Sequence, residues 1–553
     1  MRIPVIVFVA VSALVIAFWA FMGRPVPMPP SPLGAAPAAG KLQCVSYAPF
    51  RGSQSPLDTK TVITPEQIED DLARLATMTD CVRTYATELG LDRVPEIARK
   101  HGLKVLQGIW LGGDPAHTAR EIGVGVTLAR EHRDVVIGLV VGNEVLLRGE
   151  MSAQDIAATI RRIKERVDVP VTYADVWEFW MRHRELYDVV DFVTVHILPY
   201  WEDFPVPAEE AGRHIDAIRE QVARAFPAKE ILIGETGWPS AGRMREGALP
   251  SPSSQARALH DILTIAHQKN YRVNVIEAFD QPWKRRLEGT VGGHWGVLDG
   301  DTRAMKFAWG QPVVDHPYWI AAALGGVALT GAIAAAAAAG LRRRSSALPP
   351  VGWPLWAFIA LSALAAGATL GRAVAELPLE NLHWWDWLRS GVLVLVAALS
   401  PVVAALALTT GARLPSFADI LSPRAARAGE AAATESIERG LGWLLIVLTV
   451  LATVSALGLV FNPRYLSFPF AGLTGAVIAF IGPAFAGRWQ GGGAAGARSR
   501  GLSEAFFAAT LAASAVYVIL NETTRNWQAL WFGVLLLILA ACLARARDGR
   551  TPA

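Results

Sequence analysis

Eight short apolar runs punctuate residues 41 to about 310, and stretches of helical character separate them. The runs are Gln43 to Phe50, Cys81 to Ala86, Lys104 to Leu111, Val136 to Glu144, Val169 to Val176, Val190 to Trp201, Glu230 to Glu235 and Val273 to Trp283. Helix-start signals such as Thr64-Pro65-Glu66-Gln67 and Ser152-Ala153-Gln154-Asp155 stand between them. Eight strands alternating with helices over about 270 residues predict an α/β fold, the (β/α)8 TIM barrel. The alternative is an open doubly wound sheet, which carries a Gly-rich phosphate turn after its first strand. Here the first run ends Tyr47-Ala48-Pro49-Phe50, with no such turn.

The pattern changes at Tyr318. Apolar runs follow at about 318–340, 353–371, 390–411, 441–461, 466–486, 504–520 and 527–543. Each approaches the ~20 residues that cross a bilayer, the last two being the shortest. Residues 5–22 form another such run, and its reading stays open between a cleaved signal peptide and an uncleaved anchor. Ala-x-Ala spacing is poor until Ala36 to Ala39, which favours the anchor. The chain of 553 residues, 52% hydrophobic with mean hydropathy +0.31, is thus expected to be a globular domain joined to a polytopic all-α transmembrane domain. The expected division is an anchor at 1–23, a Pro/Ala/Gly linker at 24–40, the barrel at 41–315, seven transmembrane helices at 316–545 and a cytoplasmic tail at 546–553.

Charge orients this arrangement. From Tyr318 onward there are 17 Arg, no Lys and 10 acidic residues, while the preceding part is mildly acidic. Arg342 to Arg344, the 412–440 loop, the 488–500 loop and the tail carry 13 of those Arg. The alternate loops carry only Arg372, Arg389, Arg464 and Arg525. The positive-inside rule puts the Arg-rich loops in the cytoplasm, giving eight spans with both termini inside and the barrel outside a bacterial inner membrane. The expected partner of this half is the lipid bilayer. No concentrated basic face suggests nucleic acid, and the spans hold few of the ionisable groups that an ion-coupled transporter needs. The cluster His383-Trp384-Trp385-Asp386-Trp387 reads as an interfacial belt, and the Gly/Ala stretch at 491–497 as a loop without function. Cys44 and Cys81 open neighbouring strand runs. Export would permit a disulfide between them, but parallel strands constrain the Cα geometry tightly, which favours two small buried side chains. Cys542 lies in an apolar run and reads as inert.

Two carboxylates stand where barrel chemistry is done. Glu235 ends the run Lys229-Glu230-Ile231-Leu232-Ile233-Gly234-Glu235 and is followed by Thr236-Gly237-Trp238-Pro239-Ser240. Glu144 ends Val136-Ile137-Gly138-Leu139-Val140-Val141-Gly142-Asn143-Glu144. A glutamate inside a buried strand is costly, but the C-terminal end of a barrel strand is the floor of the active site. Strands four and seven face each other across the mouth, so the two side chains can converge. Paired carboxylates suit glycoside chemistry: ~5–5.5 Å apart they retain configuration, farther apart they invert it.

The segment Ile231-Leu232-Ile233-Gly234-Glu235-Thr236-Gly237-Trp238-Pro239-Ser240 resembles the signature of glycoside hydrolase family 17, the β-1,3-glucanase family, and Val141-Gly142-Asn143-Glu144-Val145 resembles its acid/base segment. The resemblance covers roughly residues 43–310. It implies a retaining mechanism with Glu235 as nucleophile and Glu144 as acid/base, the Glu144 pKa being raised by burial and the neighbouring charge. Ile276-Glu277-Ala278-Phe279-Asp280-Gln281-Pro282-Trp283-Lys284 resembles the family's last strand more loosely. There Glu277, Trp283 and Lys284 contribute to the site or form structural contacts.

Other groups near strand ends are candidates to hold sugar: Asn143, Tyr47, Tyr85, Tyr173, His196, Tyr200 and Trp238, with Trp110, Trp201 and Trp295 as further aromatic faces. No metal or cofactor is expected, since no His/Asp/Glu cluster with metal-ligand spacing appears in the sequence near His196. Asp299-Gly300-Asp301 reads as a turn. The expected substrate is a β-glucan oligo- or polysaccharide. Resemblance to membrane-bound bacterial members implies a transglycosylase that remodels or branches β-1,3/1,6-glucan outside the inner membrane. A β-1,3-glucanase and a non-catalytic glucan-binding scaffold for a separate glucan synthase are the alternatives.

Overall fold

The computed structural model describes residues 2–33, 40–421, 430–485 and 502–548. Arg424, Arg427, Arg488, Arg498, Arg500, Arg550 and the 491–497 stretch therefore lie outside the described residues. The chain divides into two compact units: Val26–Val313, and Met1–Pro25 together with Val314–Ala553.

The first unit is a closed barrel of eight parallel strands in sequential order. The strands are β1 (Cys44–Ser46), β2 (Cys81–Arg83), β3 (Lys104–Ile109), β4 (Val136–Asn143), β5 (Val171–Val176), β6 (Val193–His196), β7 (Ile231–Thr236) and β8 (Arg272–Val275). One strand falls in each apolar run, β8 beginning one residue early. Several of the helices between them start on side-chain caps. Thr64 accepts from the Gln67 N–H, Asp114 from those of Ala116 and His117, and Ser152 from that of Asp155. Outward strand residues such as Val45, Val82, Val105 and Val141 join Ile68, Leu72, Ile97, Ile156 and Ile160 of the helices in one continuous core.

Inside the barrel apolar and polar side chains mix. Cys44, Cys81, Leu106, Val140, Ala174 and Leu232 pack together. Polar groups pair in register with them. Thr172 and Thr194 share a 2.9 Å hydrogen bond, and Asn274 Nδ2 donates to Ser46 Oγ and to the Gly234 carbonyl at 2.8 Å each. Cys44 and Cys81 are joined in a disulfide between β1 and β2. It closes a loop over a sequence separation of 37, for which chain entropy gives a stabilisation of about 4 kcal/mol and typical cases 2–4 kcal/mol. The double substitution of Cys44 and Cys81 by Ala is expected to lower barrel stability by that order, checked by denaturant unfolding. Maleimide labelling of the unfolded, unreduced chain should find only Cys542 reactive; labelling of Cys44 and Cys81 without reduction contradicts the bridge.

The linker reading of 24–40 needs correction where the chain is described. Val26 pairs antiparallel with Val313, and Met28 and Leu33 pack on the barrel core. The apolar residues between the prolines give this segment a surface to bury. Asp299 Oδ1 accepts from the N–H groups of Asp301 and Thr302 at 3.1 and 2.8 Å, so Asp299-Gly300-Asp301 is a side-chain-closed turn.

The second unit is all-helical. Among the described residues, seven helices are long and apolar enough to cross a membrane: Ile3–Met22, Trp319–Arg343, Trp353–Glu380, Trp384–Thr410, Ala433–Phe461, Leu502–Glu522 and Trp527–Arg545. The eighth expected span is a shorter apolar helix, Phe470–Phe485, so it, and not the last two, is the short one. Trp384, Trp385 and Trp387 open the first turn of a long helix and are exposed. Within the unit, Val11, Val15 and Trp19 of the first helix pack against Ala322, Ala323, Ile359 and Ala363. Close helix approach rests on small residues: a Cβ on Gly326 would lie 2.3 Å from the Gly367 carbonyl oxygen.

Candidate active site

Each of the two carboxylates is aimed by an irregularity in its strand. On β7, Val195 pairs with Ile233 and His196 with Glu235, so Gly234 is an extra residue. The same slip appears toward β8, where Ile233 pairs with Val273 and Thr236 with Val275. Leu232 faces the barrel interior, so strict alternation would turn Glu235 outward. The bulge at Gly234 turns it inward instead. Glycine is required there, because a Cβ would sit 2.3 Å from Thr194 Cγ2 and 3.2 Å from His196 Cδ2.

On β4 an extra residue lies between Val140 and Asn143, with Gly142 at φ +87°. Glu144 follows at φ +53°. This left-handed conformation costs a non-glycine residue roughly 1–2 kcal/mol. Local bonds hold it in place: the Glu144 N–H donates to the Ala174 carbonyl at 2.8 Å, and the Leu146 N–H to Tyr173 Oη at 2.9 Å. Arg148 donates to the carbonyls of Asn143 and Leu111.

The carboxylates converge. Glu144, His196 and Glu235 each present one ligand-type atom, and these atoms all lie within 4.8 Å of one another. His196 Nδ1 is 3.1 Å from Glu144 Oε1, and its Nε2 is 3.7 Å from Glu235 Oε1. The environments differ: the Glu235 side chain is 6% exposed and that of Glu144 25%. Arg83 of β2, fully buried, donates to Glu235 Oε1 at 3.2 Å, to the Gly234 carbonyl at 2.7 Å and to Asn143 Oδ1. Tyr85 Oη donates to Glu235 Oε1 at 3.0 Å and lies 2.9 Å from Ser46 Oγ, whose hydroxyl can donate to it. The Glu235 carboxylate is thus held by two donors, one of them a cation.

By donor type alone the three residues could hold a metal ion. The Arg83 guanidinium already supplies the positive charge, its Nη1 lying 3.2 Å from Glu235 and 3.5 Å from His196 Nε2. Charge also sets protonation. Burial pushes Glu144 up, but the His196 hydrogen bond and charge, with Arg148 and Arg83, outweigh it and hold the carboxyl below its ordinary range. The expectation of a raised Glu144 is therefore corrected: it omitted His196, Arg148 and Arg83, which only the fold brings together. Tyr85 is driven well above the usual phenol range by burial and by Glu235, so it stays a donor. Glu277 forms a buried ion pair with Lys284 at 3.0 Å, and burial pushes its carboxyl up to about 7. Both Glu277 and Lys284 feel the charge of Glu235.

Residues 44–296 match the family model described as the BtgE/BtgC glycoside hydrolase domain. The barrel is similar to a glycoside hydrolase domain. The chain is 29% identical over 225 residues to a probable beta-glucosidase btgE of Aspergillus fumigatus, covering 39% of each protein. It is 26% identical over 262 residues to the glucan 1,3-beta-glucosidase BGL2 of Candida albicans, covering 43% of this chain and 85% of that one. Among solved structures, a glycoside hydrolase family 17 beta-1,3-glucanosyltransferase from Rhizomucor miehei is 27% identical, with a TM-score of 0.43 over 48% of this chain and 95% of that one. The similarity spans about two fifths of the length of the first curated relatives matched.

The barrel brings Asn143, Tyr85, His196, Glu277 and Lys284 around the two carboxylates. It places other candidates elsewhere. Trp238 is fully buried, donates to the Leu249 carbonyl at 3.1 Å and packs on Tyr200, so it presents no stacking face. Tyr47 is buried against Phe279 and donates to Asp71. Tyr173 lies under the β4 turn, bonded to Asp175, and Tyr200 donates to the Arg243 carbonyl at 2.7 Å. Trp295 is buried, stacked on the half-buried Trp201. Trp283 is half-buried and donates to Gln281. Half-buried Trp110 lies under Arg148, 4.2 Å from its guanidinium carbon. Arg83 went unnoticed in the sequence. The available signal was parity: Cys81, Arg83 and Tyr85 alternate along β2, which sends all three inward.

Proposed function

We propose that this chain is a retaining β-glucan-active enzyme, with Glu235 the nucleophile and Glu144 the acid/base. The observation that carries this reading is the approach of the two carboxylates to within 4.8 Å. That spacing suits attack by one carboxylate on the anomeric carbon and leaves too little room for the water of an inverting reaction. Glu235, held by Arg83 and Tyr85, attacks C1 while Glu144 protonates the leaving oxygen. Glu144 then takes the proton of the acceptor that displaces Glu235. Glu277, Lys284 and Asn143 hold the sugar or the carboxylates.

The acceptor proposed is a sugar hydroxyl, making the enzyme a transglycosylase that remodels or branches β-1,3/1,6-glucan. Seven long apolar helices support a membrane tether, and a tethered barrel is better placed to modify nascent glucan than to digest free polymer. The Arg distribution and the Cys44–Cys81 disulfide support a barrel outside a bacterial inner membrane, where disulfides persist. The glucosidase names of the relatives favour hydrolysis as the second reading.

Incubating the detergent-solubilised full chain with laminari-oligosaccharides decides between them. Products longer than the substrate are expected. Shorter products alone, even at high acceptor concentration, contradict transfer; no turnover at all contradicts the enzymatic reading.

A further inference from the structure

Trp110 is an aromatic ring that the barrel holds firmly and leaves half open. It follows β3, where alternation from inward Leu106 sends it toward the barrel mouth. Its backbone is pinned. The Glu121 carboxyl, itself buried, accepts from the Trp110 N–H at 2.9 Å and from the Thr87 N–H and hydroxyl at 3.0 and 2.7 Å. The Arg148 guanidinium covers one face of the indole, its carbon 4.2 Å from the ring centroid. That guanidinium is fixed in turn by the carbonyls of Asn143 and Leu111 and by Glu150 Oε2 at 2.9 Å. Among the described residues the indole meets no other aromatic ring and joins no apolar core cluster, whereas Trp177 and Trp283 pack on the barrel core. Its Nε1–H donates to none of them, and the atom is not sealed from solvent. Gly112 adds no side chain beside it; a Cβ there would stand 3.5 Å from Nε1.

Its place is that of the leaving sugar and the acceptor. Ile109 pairs with Val141 of β4, so Trp110 stands beside the turn that carries Glu144. The Arg148 N–H donates to the Glu144 carbonyl at 2.8 Å, so ring, guanidinium and acid/base residue form one connected arm. In the closed barrel β3 lies four strands from β7, which puts Trp110 across the mouth from Glu235. Glu277 and Lys284, which feel the charge of Glu235, follow β8 on the nucleophile's side. The sugar attacked at C1 lies by Glu235. The sugar on the other side of the glycosidic oxygen lies past Glu144, toward Trp110.

We infer that Trp110 is the stacking face for the acceptor sugar and so sets the balance between transfer and hydrolysis. This rests on the transglycosylase reading above and names the group that holds its acceptor. The open part of the indole suits the C–H face of a glucose ring, and its Nε1–H is a donor for a sugar hydroxyl. Glu121 and Arg148 immobilise the ring before sugar arrives, so little freedom is lost on binding. In the first half-reaction the leaving sugar rests there while its oxygen takes the proton from Glu144. In the second, a β-glucan chain takes its place. The acceptor's hydroxyl oxygen bonds to C1, the C1–O bond to Glu235 breaks and returns the carboxylate, and the hydroxyl proton passes to Glu144. Water gains nothing from such a face, so binding at Trp110 favours the sugar acceptor over it.

The test uses the detergent-solubilised full chain, wild type and Trp110→Leu, which keeps apolar bulk beneath Arg148 without the flat face. A dinitrophenyl 2-deoxy-2-fluoro-β-laminaribioside should label Glu235 in both, seen by mass spectrometry. Excess reagent is removed, and recovery of the labelled protein is followed in water and with rising concentrations of a laminari-oligosaccharide acceptor. Wild type should recover faster with the acceptor than in water, and the gain should saturate. In Trp110→Leu the half-saturating acceptor concentration is expected to rise about tenfold or more, as loss of a buried sugar–indole contact requires. An unchanged half-saturating concentration, even with slower recovery throughout, overturns the inference while the transglycosylase reading stands. If Trp110→Leu fails to label, Trp110→Met goes through the same assays; loss of labelling in both makes the residue structural and overturns the inference. A wild type that labels but recovers no faster with acceptor overturns the transglycosylase reading and this inference together. A wild type that never labels overturns the retaining reading as well.

Discussion

Glu235→Gln is expected to lower turnover of β-glucan oligosaccharides by about four orders of magnitude or more while glucan binding persists. Glutamine keeps the shape, and its carbonyl oxygen can still accept from Arg83 Nη1 and Tyr85 Oη, now at 3.2 and 3.0 Å from Glu235 Oε1. What it loses is the negative charge that makes the oxygen a nucleophile. The bound sugar meets an intact site with nothing to attack C1. Glu235→Ala opens space for a small external nucleophile, and azide should restore turnover as the glycosyl azide of opposite anomeric configuration. Binding is checked by calorimetry and turnover by product chromatography. Substantial activity in Glu235→Gln would mean that the chemistry runs elsewhere.

Arg83→Met is expected to be the most damaging single change for stability. Methionine fills part of the volume but leaves Glu235, only 6% exposed, without its cation, and leaves the Gly234 carbonyl and Asn143 Oδ1 without a donor. Breaking a buried pair in this way costs about 3–5 kcal/mol. Activity should fall with it, since Glu235 loses the donor that fixes its place. Denaturant unfolding of wild type and variant checks this; a deficit that is small would contradict the role given to Arg83.

The barrel was legible because its strands are apolar on both faces and evenly punctuated by capped helices. Glu144 and Glu235 were legible because a carboxylate at a strand's end has no structural reason to be there. The way they are aimed was not. Period-two alternation from Leu232 points Glu235 outward, and only pairing with β6 and β8 reveals that Gly234 is an inserted residue. Arg83 was invisible because a strand arginine usually faces solvent, and its partners lie about 60 and 150 residues away in sequence. Tyr47, Tyr200 and Trp238 failed as sugar contacts for the converse reason. An aromatic ring after a strand can serve core or groove, and whether loops close over it is a tertiary property. The Glu144 carboxyl shows the same limit: burial was foreseeable, but the opposing charges of His196, Arg148 and Arg83 come from three separate elements.

The central claim is that Glu144 and Glu235 act at a spacing that retains configuration. Proton NMR of the C1 configuration formed from a β-linked laminari-oligosaccharide reads this directly, at the new glycosidic bond where a sugar hydroxyl is the acceptor and at the new reducing end, before mutarotation, where water is. The account predicts that this C1 is formed in the β configuration. Initial formation of the α configuration would contradict it.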